Sequence, residues 1–275
     1  MPLGFFDSGV GGLTVYRKVR ERLPEHDALY LGDTARTPYG SRSFETILRF
    51  TTEGVEHLFR QGCPLVVIAC NTASAKALRT IQQKLLPAKW PDRRVLGIIR
   101  PSAEALASAA PDSRVALWAT EGTVRSDSYA MELEKLAPHV RLTQVACPML
   151  VPLVESGELE GEGLEYFVRK YWRETTERAG TETPDALLLA CTHYPLLYPA
   201  IRRIVPESTK ILVQADIVAP ALVEYLRRHP EIDARLTRGN TVGGERFLTT
   251  DQTAGFSRLA SLFLGRDVAA ERVEL

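Results

Sequence analysis

Neither sign of charge prevails in this chain, where 34 Lys and Arg stand against 34 Asp and Glu. Without a net positive field there is no long-range pull towards nucleic acid or an anionic membrane, so intrinsic nucleic-acid binding is not expected. No apolar run approaches the roughly 20 residues needed to cross a bilayer. The segment ahead of Asp7 lacks the basic stretch of a secretory leader. Together these absences predict a cytoplasmic protein with no membrane partner. Cysteine is scarce, at four residues, and no two form a C-x-x-C pair. Nor do the five histidines cluster near them at zinc-ligand spacing. That argues against a thioredoxin-like redox site and against a metal centre. No fixed-period repeat and no low-complexity tract interrupts the chain.

What is present is alternation. Short apolar runs predict strands over residues 3–7, 28–32, 65–70, 95–99, 115–119, 142–147, 186–191, 211–214 and 246–249. Several are continuously apolar, as in Leu65-Val66-Val67-Ile68-Ala69, which suits parallel strands covered on both faces. Between them, amphipathic spacing predicts helices over 12–23, 43–60, 72–86, 124–136, 164–179, 196–205, 215–228 and 253–264. Strand–helix alternation implies βαβ units, hence an α/β fold with mostly parallel sheets flanked by helices. The 275 residues suffice for two such units. The expected division is residues 1–99 with 208–275 as one lobe and 100–207 as the other. The crossings are expected near Ile99-Arg100-Pro101 and near Pro206-Glu207-Ser208.

One internal echo points to chemistry. Pro64-Leu65-Val66-Val67-Ile68-Ala69-Cys70-Asn71-Thr72 resembles Pro184-Asp185-Ala186-Leu187-Leu188-Leu189-Ala190-Cys191-Thr192. Each is a proline, an apolar strand, Ala-Cys, and then a polar residue able to cap a helix. The carboxyl edge of a parallel sheet is where such folds bind ligands, so the two lobes are expected to offer one thiol each to a shared cleft. A thiol with its ordinary pKa of about 8.5 is a poor base at neutral pH. Placement just before a helix N-terminus favours the thiolate, because backbone N–H groups and the helix dipole stabilise negative charge. Asn71-Thr72 after Cys70 and Pro195 after Cys191 both read as helix starts. A single buried cysteine more often fills a core, but two in matching settings favour acid–base work. Cys63 and Cys147 lack this setting and read as structural. His193, two residues after Cys191, is placed to tune the thiol or exchange a proton with it.

Two loops belong to the same edge. Asp7-Ser8-Gly9-Val10-Gly11-Gly12 is a glycine-rich turn whose amides can hold a carboxylate or phosphate. It fits neither the dinucleotide fingerprint, having Thr14 where glycine is needed, nor the Walker pattern. The long connection from Gly32-Asp33 to Gly40-Ser41 offers the hydroxyls of Tyr39 and Ser41 and a close backbone approach at Gly40.

Taken in order, four stretches resemble the glutamate racemases of the aspartate/glutamate racemase superfamily. They run from Phe6 to Val15, from Gly32 to Gly40, from Ala69 to Ala73 and from Leu189 to Leu196. The resemblance continues to Phe247-Leu248-Thr249-Thr250 and covers nearly the whole chain. It implies interconversion of L- and D-glutamate as the small-molecule substrate, with no cofactor and no pyridoxal phosphate, to supply D-glutamate for peptidoglycan. By resemblance, Cys70 is the thiol that deprotonates D-glutamate and Cys191 the one that deprotonates L-glutamate. Asp7, Glu155 and His193 match assisting positions. Asp7, Ser8, Tyr39, Gly40, Asn71, Thr72, Thr192 and His193 match positions that hold substrate. Two departures stand out: Gln214-Ala215-Asp216 replaces an Asp-Ser pair carried by many members, and Gly97-Ile98-Ile99-Arg100-Pro101 lacks their Pro-Gly. The competing readings are another racemase of the superfamily, acting on aspartate or a hydantoin; a glutamate sensor, which would need neither thiol; and a thiol redox protein. The sequence leaves the oligomeric state open, with a homodimer among the candidates.

Overall fold

A computed structural model describes residues 1–109, 114–180, 183–239 and 242–275. Within them the chain divides into two compact units, Met1–Ile98 with Val218–Leu275, and Ile99–Ile217. Each is a parallel sheet with helices, as the strand–helix alternation requires.

The first unit is built on a six-stranded sheet in the order β10-β9-β2-β1-β3-β4. Its strands are β1 (Leu3–Asp7), β2 (Ala28–Gly32), β3 (Leu65–Ile68), β4 (Arg94–Gly97), β9 (Glu245–Thr249) and β10 (Ala270–Arg272). All its neighbours pair in parallel. Every residue of β1, β2 and β3 is buried, which is why these segments are apolar without alternation. Phe5, Tyr16, Tyr30 and Phe247 pack edge-on or tilted, with ring centroids 5.2 to 6.4 Å apart. Burial of each such ring contributes about 1.5–3 kcal/mol. The second unit carries a four-stranded sheet in the order β6-β5-β7-β8. Its strands are β5 (Arg114–Ala119), β6 (Arg141–Ala146), β7 (Ala186–Ala190) and β8 (Lys210–Val213), again all parallel. Its centre is Trp118, fully buried, whose indole N–H donates to Thr175 Oγ1 at 2.8 Å.

Several expectations move. β8 hydrogen-bonds to β7, so the chain remains in the second unit beyond the turn at Pro206-Glu207-Ser208 and leaves it after Ile217. The segment expected as a bare crossing opens a helix, Ile99–Ala109. Pro101 is tolerated there because the first turn of a helix leaves its N–H groups without intrahelical acceptors. The helix expected over 72–86 is wound as Asn71–Thr80, a π-wound stretch Ile81–Leu85, and Leu86–Lys89. Pro87, which cannot donate to the ladder, stands two residues beyond the end of that widened turn. The last strand, β10, has three half-exposed or exposed residues and so no apolar run to announce it.

Candidate active site

In the first unit the carboxyl ends of β1 and β3 lie side by side, since Phe6 pairs with Ile68. The Cys70 thiol and the glycine-rich turn therefore meet. β3 stops at Ile68, two residues before the predicted end, and Cys70 becomes the cap of the helix Asn71–Thr80. Its Sγ accepts from the Ala73 N–H at 3.4 Å and lies 3.3 Å from the Ser8 hydroxyl. A backbone amide and a hydroxyl, both uncharged, thus meet the sulfur at a helix start. Asn71 and Thr72 form the first turn of that helix, both buried.

Asp7 is buried at the end of β1, and its Oδ2 accepts from the Gly9 amide at 2.9 Å. A Cβ at Gly12 would stand 2.7 Å from the Asp7 Cβ, so only glycine lets the helix Leu13–Arg22 start this close to the carboxylate. The Tyr30 hydroxyl donates to the Gly9 carbonyl at 3.0 Å. Burial first, then the charges of Asp7 and Cys70, push its pKa well up, so it remains a neutral donor beneath the turn.

Tyr39 is placed differently from its sequence expectation. Its ring is buried in the same apolar cluster as Cys70, and its hydroxyl donates inward to Asp33 Oδ2. Burial and the Asp33 carboxylate raise its pKa. The group expected to face a ligand is thus engaged inside the protein. The Tyr39 and Gly40 amides, by contrast, donate to no acceptor among the described residues.

In the second unit Cys191 follows β7, and Thr192 and His193 are buried beside it. The predicted helix start is here a 3₁₀ turn of four residues, Tyr194–Leu197, ahead of the helix Tyr198–Ile204, so less dipole is aimed at the thiol. A charged group takes its place. His193 Nδ1 lies 4.0 Å from Cys191 Sγ, and its Nε2 is 3.0 Å from Glu155 Oε1. Burial lowers the imidazole pKa, but the hydrogen bonds and negative charges of Cys191 and Glu155 outweigh it and push the pKa up to about 10. Glu155 closes the six-residue helix Leu150–Glu155.

Cys63 and Cys147 are fully buried. Burial pushes the Cys63 thiol up to about 12 and the Cys147 thiol well above its ordinary value, as expected of structural cysteines. Thr120 was not among the residues singled out from the sequence. Ala119 pairs with Ala190, so Thr120 and the short helix it caps stand at the same sheet edge as Cys191. The strand-end rule applied to the cysteines, extended to 115–119, would have found Thr120.

A family model described as Asp/Glu/Hydantoin racemase matches residues 11–241. The chain is 39% identical over 264 residues to a glutamate racemase of Geobacter metallireducens, covering 96% of this chain and 92% of that protein. Among solved structures, a glutamate racemase isoform from Bacillus anthracis superposes with a TM-score of 0.90 at 32% identity, covering 100% of this chain and 97% of its own. A glutamate racemase from Francisella tularensis, solved in complex with D-glutamate, superposes with a TM-score of 0.87 at 28% identity, covering 99% and 97%.

Proposed function

Because the chain belongs to the Asp/Glu/hydantoin racemase family, we propose that it interconverts L- and D-glutamate, with Cys70 and Cys191 as two opposed bases and no pyridoxal phosphate. The observation that carries this reading is the pair of strand-end thiols, each in its own parallel sheet and each within hydrogen-bond reach of polar groups. As a thiolate, Cys191 takes the α-proton of L-glutamate. The C–H bond breaks, an S–H bond forms, and the electron pair spreads into the adjacent carboxylate. The Cys70 thiol then gives its proton to the opposite face, which yields D-glutamate and leaves Cys70 as thiolate. The reverse direction exchanges the roles.

An α-proton is very weakly acidic, so the developing carbanion needs donors fixed in advance. Ser8, Asn71, Thr72 and Thr192, with the amides of Tyr39 and Gly40, supply neutral donors for substrate. They can hold negative charge while themselves uncharged. Asp7 assists Cys70 from the end of β1. His193, held by Glu155, assists Cys191 and can also contact substrate. The D-glutamate formed would enter peptidoglycan synthesis in the cytoplasm.

The test is proton exchange. Purified protein is incubated in deuterated water with pure L- or D-glutamate, a chelator and a carbonyl reagent that traps pyridoxal phosphate. We expect racemisation, with solvent deuterium at the α-carbon of product from the first turnover. Loss of activity with either reagent refutes the cofactor-free reading. Return of the substrate's own α-proton to product refutes the two-base reading.

A further inference from the structure

We propose that Asp33 is a positioning residue, a buried latch that holds the 33–41 loop so that the Tyr39 and Gly40 amides stay aimed at a substrate carboxylate. The inference rests on the function proposed above and adds a residue to it.

Asp33 follows β2 with no exposed surface, and its amide donates to the Asp7 carbonyl at 3.0 Å. A carboxylate so placed is tolerated only if its oxygens are saturated. Arg36 Nε donates to both of them, at 2.9 and 2.7 Å. Tyr39 donates to Oδ2, and Thr250 Oγ1 to Oδ1 at 2.9 Å. Thr250 in turn accepts from the Ala35 amide at 3.0 Å, so the residue just after β9 closes the loop's first turn. Arg36 reaches outward to Glu53 and lies 4.1 Å over the Phe50 ring.

These bonds gather the start of the loop (Ala35, Arg36), its end (Tyr39) and a segment from the far end of the chain (Thr250) on one side chain. With the phenol engaged by Asp33, what Tyr39 has left to offer a ligand is its backbone amide. Amides fixed before substrate arrives bind it without an ordering cost. Asp33 touches neither substrate nor thiol in this scheme. It acts through Tyr39 and Gly40.

The test uses Asp33→Asn, which keeps the volume but cannot accept from every donor, and Tyr39→Phe and Thr250→Val, which each remove one donor. In racemisation assays run from both enantiomers, Asp33→Asn should raise KM about tenfold, the value of one charge-assisted hydrogen bond. It should do so in both directions, with kcat changed less than about threefold. Tyr39→Phe and Thr250→Val should give the same split, smaller, and they decide the matter if Asp33→Asn does not fold. A fall in kcat with KM unchanged, or no change in either, overturns the proposal. Hydrogen exchange provides a readout independent of activity. The Ala35 and Arg36 amides should exchange about tenfold faster in Asp33→Asn while those of β1 and β2 keep their rates, and unchanged Ala35 exchange overturns the latch. If the wild-type protein fails to racemise glutamate, the proposed activity is at fault and the exchange measurement alone judges the latch.

Discussion

Cys70 and Cys191 occupy the same topological position, just past the carboxyl end of an interior strand, in two different chemical settings. Cys70 caps a ten-residue helix and meets a hydroxyl and a backbone amide, both neutral. Cys191 precedes a 3₁₀ turn of four residues and is served by a histidine that the sulfur itself and then the Glu155 carboxylate hold in its charged form. A parallel sheet can therefore surround a thiol at its edge in two ways, with fixed dipoles or with a titrating partner. The first is insensitive to pH. The second ties the behaviour of the thiol to the protonation of its neighbour.

The largest effect expected separates the thiols themselves. Serine at either position substitutes a hydroxyl that does not ionise near neutral pH, so racemisation should fall at least about 100-fold in both directions. Half-reactions should remain distinct. A glutamate analogue with a leaving group on the β-carbon needs only α-proton removal, after which the C–H electron pair forms the Cα–Cβ double bond and the leaving group departs. Cys70→Ser should still process the L-analogue through Cys191, and Cys191→Ser the D-analogue through Cys70. Equal loss of both analogues in both variants would mean that the two positions are not two bases.

A smaller effect should isolate the titrating side. The fold raises the His193 pKa from 6.5 to about 10. The stabilisation it contributes is therefore complete below about pH 6.5 and is lost as pH rises through about 10. Glu155→Gln removes one of the raising contributions. The imidazole titration, followed by NMR, should move to lower pH, and the alkaline loss of stability should begin earlier. Elimination from the L-analogue at pH 8 should slow roughly tenfold, as expected for one charge-assisted hydrogen bond, with the D-analogue unaffected. A histidine titration that stays in place in the variant would show that Glu155 does not set it.

The smallest effect belongs to the neutral side. Ser8→Ala removes one of the two donors near Cys70, a net loss of about 0.5–1.5 kcal/mol. That corresponds to a roughly 2- to 10-fold slowing of the D-analogue reaction, with the shape of the pH profile retained. A change in the pH profile would mean that the Cys70 setting also titrates, and the contrast between the two thiols would disappear.

Much of this was legible in the chain. Leu65-Val66-Val67-Ile68 and Ala186-Leu187-Leu188-Leu189 read as buried parallel strands because strands covered on both faces need no alternation. The cysteines following them read as edge groups for the same reason. The Tyr39 hydroxyl misled, because a phenol in a loop of Pro and Gly looks exposed until its partner Asp33 is placed. β10 was invisible, since a three-residue edge strand needs no apolar period. The return crossing was set too early because Lys210–Val213 resembles an ordinary strand of either sheet, and only its pairing with β7 assigns it.

Local period and strand-end chemistry, both carried by neighbouring residues, settled the α/β class and marked the two thiols from sequence alone. Tertiary structure decided what surrounds each thiol and which way Tyr39 turns. Those outcomes rest on contacts such as Glu155 with His193, 38 residues apart, and Asp33 with Thr250, 217 residues apart. No local pattern specifies a hydrogen bond across such distances. It forms because a buried polar group must find a partner once the sheet has brought one within reach.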